Sequence, residues 1–577
     1  MKKLFVYMKE YRKESVLGPL FKLCEAALEL AVPLLVAAII DKGIGAGDRS
    51  YIARMCALLV GFGVAGLGFS VTAQYFAAKA AVGFVTKVRR ALFDHVQKLS
   101  YAQLDTLGAP TLITRMTSDV NQVQNGVNLA LRLLLRSPFV VFGAMLMAFT
   151  IDARAAGIFA AVIAALLVVV FAIMLVCIPL YRRVQTKLDG VTALTRENLT
   201  GARVLRAFCR EEQERESFRQ RNEALTKTQK FVGRVSALMN PLTYVLINGA
   251  TIWLIWTGAV RADAGLLTQG AVVALYNYML QILTELIKLA NLIISITKAV
   301  ACGNRIEAVL EEKPAMRETA IPPAAPALHT GAQVEFRDAQ LRYSATGDSA
   351  LSDVAFSVRR GETVGIIGGT GAGKTSLVSL IPRFYDVSAG SVLVDGVDVR
   401  EYPLDALRAR IGFVPQKAVL FAGTIRENLL WGKSDATDAE LLAAVDAAQA
   451  RDVLDGREGG LDAPVEQGGR NLSGGQRQRL TIARALVRQP EILILDDSAS
   501  ALDFATDAAL RRAIRALPSR PTVFVVSQRA ASVRLADKIV VLDDGAVAGI
   551  GAHDALLESC AVYREIFESQ FRREDAR

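Results

Sequence analysis

The chain has 577 residues, a formal net charge of +10 and 52% hydrophobic residues, with a mean hydropathy of +0.32. That length leaves room for several domains, and the apolar content excludes an ordinary soluble enzyme. Cys24, Cys56, Cys177, Cys209, Cys302 and Cys560 are scattered without CxxC spacing, which argues against a thiolate metal site and reads as free thiols or small apolar residues.

In chain order, residues 1–13 combine Lys2, Lys3, Lys9, Arg12 and Lys13 with Leu4, Phe5, Tyr7, Met8 and Tyr11. This suits a short interfacial elbow, although an ordinary charged flank has the same composition. No cleaved signal peptide is expected. Uncharged runs at 55–78, 155–180, 235–260 and 264–284 reach the ~20 residues that cross a hydrocarbon core. Two weaker spans carry charge: Lys22, Glu25 and Glu29 in the first, and Arg132 and Arg136 in the third. The expected transmembrane domain is therefore residues 14–312, with six helices near 16–40, 53–80, 129–151, 155–180, 235–261 and 264–300. Basic residues before the first span, and Lys87, Arg89, Arg90 and Lys98 after the second, place both chain ends in the cytoplasm. Membrane orientation thus accounts for the positive charge, and no nucleic-acid partner is expected. Residues 79–130 and 181–234 are polar and helix-compatible, and are expected to project into the cytoplasm and turn back once each.

Charges inside the spans are spaced to share helix faces: Lys22, Glu25 and Glu29; Arg132 and Arg136; Glu285 and Lys288. Groups at membrane depth face a cavity or one another, and pairing is the expectation here. Tyr276, Asn277, Tyr278 and Gln281 fit either a substrate path or packing against neighbouring helices.

Lys313-Pro314 and the Pro/Ala run at 321–326 mark a linker over 313–331. An α/β domain is expected over 332–577, with strands at 333–336, 363–367, 391–394, 492–495, 522–526 and 538–542. The second of these runs into Gly368, Gly369, Thr370, Gly371, Ala372, Gly373, Lys374, Thr375 and Ser376, which fill G-x-x-x-x-G-K-[ST] between a strand and a helix. The glycines let backbone N–H groups converge on phosphate oxygens, and the helix N-terminus adds its dipole. Lys374 would meet the β- and γ-phosphates and Thr375 would ligate Mg²⁺. Four apolar residues, Ile492 to Leu495, deliver Asp496 to the end of a buried strand, where a carboxylate can hold Mg²⁺. The next position calls for a water-polarising base and holds Asp497, one methylene shorter than Glu. After strand 522–526 a nucleotide-contacting His is expected, but Gln528 stands there; it can hydrogen-bond and carries no charge. None of His95, His329 and His553 is placed to substitute.

Four further pieces are Tyr343 ahead of the phosphate loop, Gln416 in Val414-Pro415-Gln416, Leu472-Ser473-Gly474-Gly475-Gln476, and Ser500-Ala501-Leu502-Asp503. With these the chain resembles ABC transporters, and the spans ahead of the ATPase resemble exporter half-transporters over essentially the whole length. The resemblance implies an all-α six-helix transmembrane domain with long cytoplasmic extensions, followed by an α/β P-loop ATPase domain that uses ATP and Mg²⁺. It implies that Tyr343 stacks on adenine and that Gln416 senses Mg²⁺ and the membrane domain. Ser473, Gly474, Gly475 and Gln476, with Asp503, would act on ATP bound by a second ATPase domain, two ATPs being sandwiched head to tail. Coupling helices are expected near 101–109 and 209–217. Asp497 and Gln528, where the family has Glu and His, resemble the degenerate subunit of heterodimeric bacterial multidrug-type exporters. The implied function is export of an amphipathic drug-like or lipid-like compound across the cytoplasmic membrane, with a second half-transporter as partner. This chain's own site would then be slow, and its Ser473 would complete the partner's site. Two other readings stand open: an exporter-fold importer of a metal chelate or peptide, and a slow homodimeric or regulatory ATPase in which Asp497 is a weaker base.

Overall fold

Helix-forming, apolar sequence with few internal prolines dominates the first 312 residues, and the structure there is helical throughout. The computed structural model describes residues 1–316, 331–343 and 347–571; most of the expected linker, including His329, lies outside them. Contacts divide the chain into two units, Met1–Gln97 with Pro110–Glu312, and Lys98–Ala109 with Lys313–Arg577.

In the first unit, Arg12–Ala38 continues as a π-helical turn, Ile39–Ile44. Arg49–Val96 and Ala153–Thr200 are each 48 residues long, about 72 Å at 1.5 Å per residue, more than twice a hydrocarbon core. Three long helices open on short polar caps: Asp48 accepts from the Tyr51 amide, Asp152 from Ala155 and Thr268 from Ala271. The last long helix therefore begins at Gln269, just after Gly265 turns the chain at φ +70°. Among the described residues, Lys3–Ile44, Arg49–Val96, Ala109–Ile151, Glu211–Asp263 and Gln269–Glu311 are long and apolar enough to cross a membrane, and the apolar stretch Ala153–Val169 opens the remaining long helix.

Fully buried Ala26, Ala144 and Ala156 let helices approach closely around Phe159, Leu275 and Ile282. A Cβ at Gly126 would lie 2.1 Å from the Ala299 side chain, so only glycine permits that crossing. Most charges found in the spans pair with one another, whereas among the described residues the buried Arg132 Nε has no hydrogen-bond partner. Lys22 bonds Glu25 at 2.5 Å, and Arg136 bridges Glu29 at 2.6 Å and Glu285 at 2.5 Å. Ser137 and Lys288 also donate to Glu285, at 2.8 and 2.9 Å. Tyr278 is buried and donates to the Leu30 carbonyl at 2.7 Å, so it packs rather than lining a path.

The second unit is built on a six-stranded sheet in the spatial order 546–551, 538–543, 363–368, 522–526, 492–496, 411–414. All neighbours are parallel except the antiparallel pair 546–551 and 538–543. A four-stranded antiparallel sheet (351–359, 332–341, 389–394, 397–398) packs beside it. Strands Leu351–Arg359, Val397–Asp398, Ile411–Val414 and Ala546–Gly551, unforeseen from the sequence, complete these sheets. The short helix Tyr101–Leu107 belongs to this unit although it lies between two long helices in the chain. A Ser100/Gln103 capping box opens it. Tyr101 packs on Phe384 with ring centroids 4.7 Å apart, and the Tyr385 hydroxyl donates to Asp105 at 2.8 Å. Burial, then that carboxylate, raise Tyr385 well above the usual phenol range.

Candidate functional site

Parallel register sets the site. Val526 pairs with both Ile366 and Asp496, and Leu542 with Gly368, so the carboxyl ends of three central strands and the loops after them open into one crevice. At Gly368 a Cβ would sit 2.2 Å from the Leu542 carbonyl, and Gly373 turns at φ +88° with Ala350 O 2.6 Å from a Cβ position. The phosphate loop thus needs glycine where the strand ends and where the helix Lys374–Leu380 begins.

A cavity of about 330 Å³ fills the crevice, lined by Tyr343, Thr370 to Ser376, Gln416, Asp496, Asp497 and Gln528. Lys374 is only 8% exposed, and its ammonium donates to Gly368 O at 2.8 Å and Gly369 O at 2.6 Å. Burial lowers its pKa, against the pull of Asp497 and Asp496. Asp496 is 2% exposed and accepts from the Thr375 hydroxyl at 3.0 Å; burial and the neighbouring Asp497 raise its pKa, which the Thr375 bond and the Lys374 charge oppose. A buried carboxylate and a hydroxyl side by side are hard oxygen donors, a set that fits Mg²⁺ shared with substrate phosphates. Tyr343 shares a 2.8 Å hydrogen bond with Ser376 and sits edge-on to Tyr385.

Asp497 stands in the left-handed region, φ +47°. Its amide donates to Val526 O at 3.0 Å, its carbonyl accepts from the Ser500 hydroxyl at 2.8 Å, and its carboxylate lies 3.4 Å from Gln416 Nε2. Gln528 faces the cavity, and its carbonyl is held from behind by Gln570. The Gln570 amide nitrogen donates to Gln528 O and its oxygen accepts from the Ala530 amide, both at 2.8 Å. Nothing in the sequence singled out Gln570.

Ser473, Gly474, Gly475, Gln476 and Asp503 do not line this cavity. Ser473 caps the helix Gly474–Val487 in a capping box with Gln476, and a Cβ at Gly474 would meet open space. Asp503 caps Phe504–Arg515 by accepting from Thr506, and those bonds lower its pKa.

The family models described as ABC transporter transmembrane region and as ABC transporter match residues 15–286 and 351–500. An uncharacterized ABC transporter ATP-binding protein of Mycobacterium bovis is 37% identical over 569 residues, covering 98% of this chain and 97% of its own length. The chain belongs to the ABC transporter family. An ATP-dependent lipid A-core flippase of Desulfotalea psychrophila is 32% identical to this ABC transporter over 488 residues, 84% of each. The solved structure of a bacterial Atm1-family ABC exporter with ATP bound shares the half-transporter's fold: TM-score 0.81, 23% identity, covering 97% of this chain and 98% of that one. The half-transporter is thus a helical transmembrane domain followed by an α/β ABC ATPase domain.

Proposed function

We propose that this chain is one half of an asymmetric exporter in the cytoplasmic membrane, its ATPase domain in the cytoplasm, moving an amphipathic compound at the expense of ATP. The observation that carries the reading is the division of the ATPase motifs. Lys374, Thr375, Asp496 and the short base Asp497 line one cavity, while the exposed Ser473 helix start does not. A helix N-terminus bearing a serine and free amides suits a γ-phosphate, and here it is open to a second ATPase domain. Exposed Val204 and Phe208, beside the expected coupling stretch at 209–217, give a partner domain a further surface.

In this reading Lys374 exchanges two backbone carbonyls for the β- and γ-phosphate oxygens. Thr375 and Asp496 hold Mg²⁺, which would neutralise charge on the transferring phosphoryl group. Gln416 and Asp497 orient the attacking water, and Gln528 supplies a hydrogen bond without charge. Asp497 reaches less far than Glu, so hydrolysis at this site is slow and ATP here mainly holds the dimer closed. Ser473 completes the partner's faster site. A substrate that is lipid-like or drug-like agrees with the apolar helices and with the flippase relative.

Native mass and composition of the complex purified from its own cells test this directly. A second half-transporter carrying Glu and His at the positions of Asp497 and Gln528 is the expected result. A complex of this chain with itself alone would overturn the asymmetric reading.

A further inference from the structure

The half-transporter's ion-pair network borders a second cavity, of about 320 Å³, inside the helical unit. Glu29, Arg136 and Glu285 each lie about 15 residues, roughly 23 Å, from the same end of their helices. They therefore form one layer, which a ~30 Å hydrocarbon core beginning at those helix ends would enclose about 7 Å from its far face. Charges at such depth are costly unless paired or used.

The network is paired unevenly. Glu285 is 4% exposed and fully engaged by Arg136, Ser137 and Lys288. Its two outer members remain open: the Glu29 side chain is 43% exposed and the Lys288 side chain 44%. Among the described residues, Glu29 accepts a side-chain bond only through Oε2, from Arg136, leaving Oε1 available. The Lys288 ammonium makes one bond, to Glu285, leaving two donors. The Gln281 side-chain oxygen is buried at the cavity wall without a partner. Val32, Pro33, Val36, Val140 and Leu280 supply the apolar remainder.

We infer that this wall recognises an amphipathic zwitterion, its cation on Glu29 Oε1 and its anion on the Lys288 ammonium, with the tail against the apolar face. The inference rests on the export reading above. Two carboxylates and two bases sum to zero, so a ligand with one charge would leave an uncompensated charge in a low-dielectric wall, and a zwitterion would not.

The complete complex in dodecyl maltoside provides the test, through stimulation of its ATPase by three C16 amphipaths that differ only in head. These are hexadecylphosphocholine, hexadecyltrimethylammonium and the monoanionic diester hexadecyl methyl phosphate, with tail-less glycerophosphocholine as a fourth probe. The zwitterionic amphipath should act at a concentration at least about tenfold lower than either singly charged one, the size of one charge-assisted contact. Glu29→Gln should shift preference toward hexadecyl methyl phosphate, and Lys288→Gln toward hexadecyltrimethylammonium. Lys288→Arg should keep the original ranking. Opposite shifts separate recognition from misfolding, which would depress all three responses together. Glycerophosphocholine matching the tailed zwitterion would identify a free head group as the ligand; its failure would identify a lipid. Equal potency of the three heads, or an unchanged ranking in both Gln variants, would overturn the zwitterion and leave amphipath export standing. No response to any amphipath would overturn both.

Discussion

Lengthening Asp497 to Glu tests the proposal that side-chain reach limits hydrolysis at this nucleotide site. The backbone is held on both sides, by the amide bond to Val526 O at 3.0 Å and by the Ser500 hydroxyl on the Asp497 carbonyl at 2.8 Å. The added methylene therefore moves only the carboxylate, by about 1.5 Å. The present carboxylate accepts a long hydrogen bond from Gln416 Nε2, 3.4 Å. The left-handed φ of +47° suits Asp better than Glu, a backbone cost of about 1 kcal/mol. A positioned base contributes about 10²- to 10⁴-fold. With Gln528 still neutral and that backbone cost, the expected gain is at the low end, about ten- to a hundredfold. Under the proposed arrangement Ser473→Arg in the same chain would silence the partner's site, so single-turnover hydrolysis in the Ser473→Arg complex, with and without Asp497→Glu, would isolate the site bordered by Lys374. A rate no faster with Asp497→Glu would refute the argument from side-chain length.

Three further outcomes follow from the described contacts. Gln570→Leu strips two hydrogen bonds from the loop carrying Gln528; at about 1 kcal/mol of lost positioning, single-turnover hydrolysis at this chain's site, read in the Ser473→Arg complex, should fall about fivefold while its ATP affinity stays within twofold. Arg136→Met removes one of the two counter-charges of buried Glu285 and should destabilise the detergent-solubilised protein by up to about 3 kcal/mol, with most of the loss recovered in the Arg136→Met, Glu285→Met pair, as read by thermal retention of the monodisperse elution peak. His553 bonds the Tyr563 hydroxyl at 2.8 Å, and burial, with Arg534 nearby, lowers its pKa while Asp554 opposes this. The unfolded chain then takes the proton first, so stability is full above the ordinary histidine range and declines as pH falls from about 6.5 through the lowered value. Melting of the purified protein from pH 7.5 to 5 should show that decline, reduced in His553→Gln.

The sequence made legible whatever is local and contiguous. Gly368 to Ser376 and Ile492 to Asp497 carry their own context, because a strand, a turn and a phosphate loop are specified within a dozen neighbouring residues. Hydropathy placed the long helices for the same reason. The strand Leu351–Arg359 was written as alternation, with Leu351, Val354, Phe356 and Val358 turned inward, yet its interleaved polar residues hide it beside the apolar parallel strands. Ala546–Gly551 is a glycine- and alanine-rich edge strand with little apolar signal. Gln570 meets Gln528 across 42 positions of chain, and Arg136 meets Glu285 across 149; no local pattern announces contacts that packing alone creates. Pairing of the span charges was foreseen as a tendency, and the choice of partners required the helices to be in place.

The helix Tyr101–Leu107 has a practical consequence for how this protein is cut and studied. The backbone passes between the two units at residues 97–98, 109–110 and 312–313, so the ATPase unit is discontinuous in sequence. A fragment starting after Glu312 would lack residues 98–109 and bare the ring faces of Phe384 and Tyr385 that Tyr101 and Asp105 cover. Supplying residues 98–109 as a separate peptide should restore that surface, making the excised ATPase unit a sensor for a strip of its own membrane half.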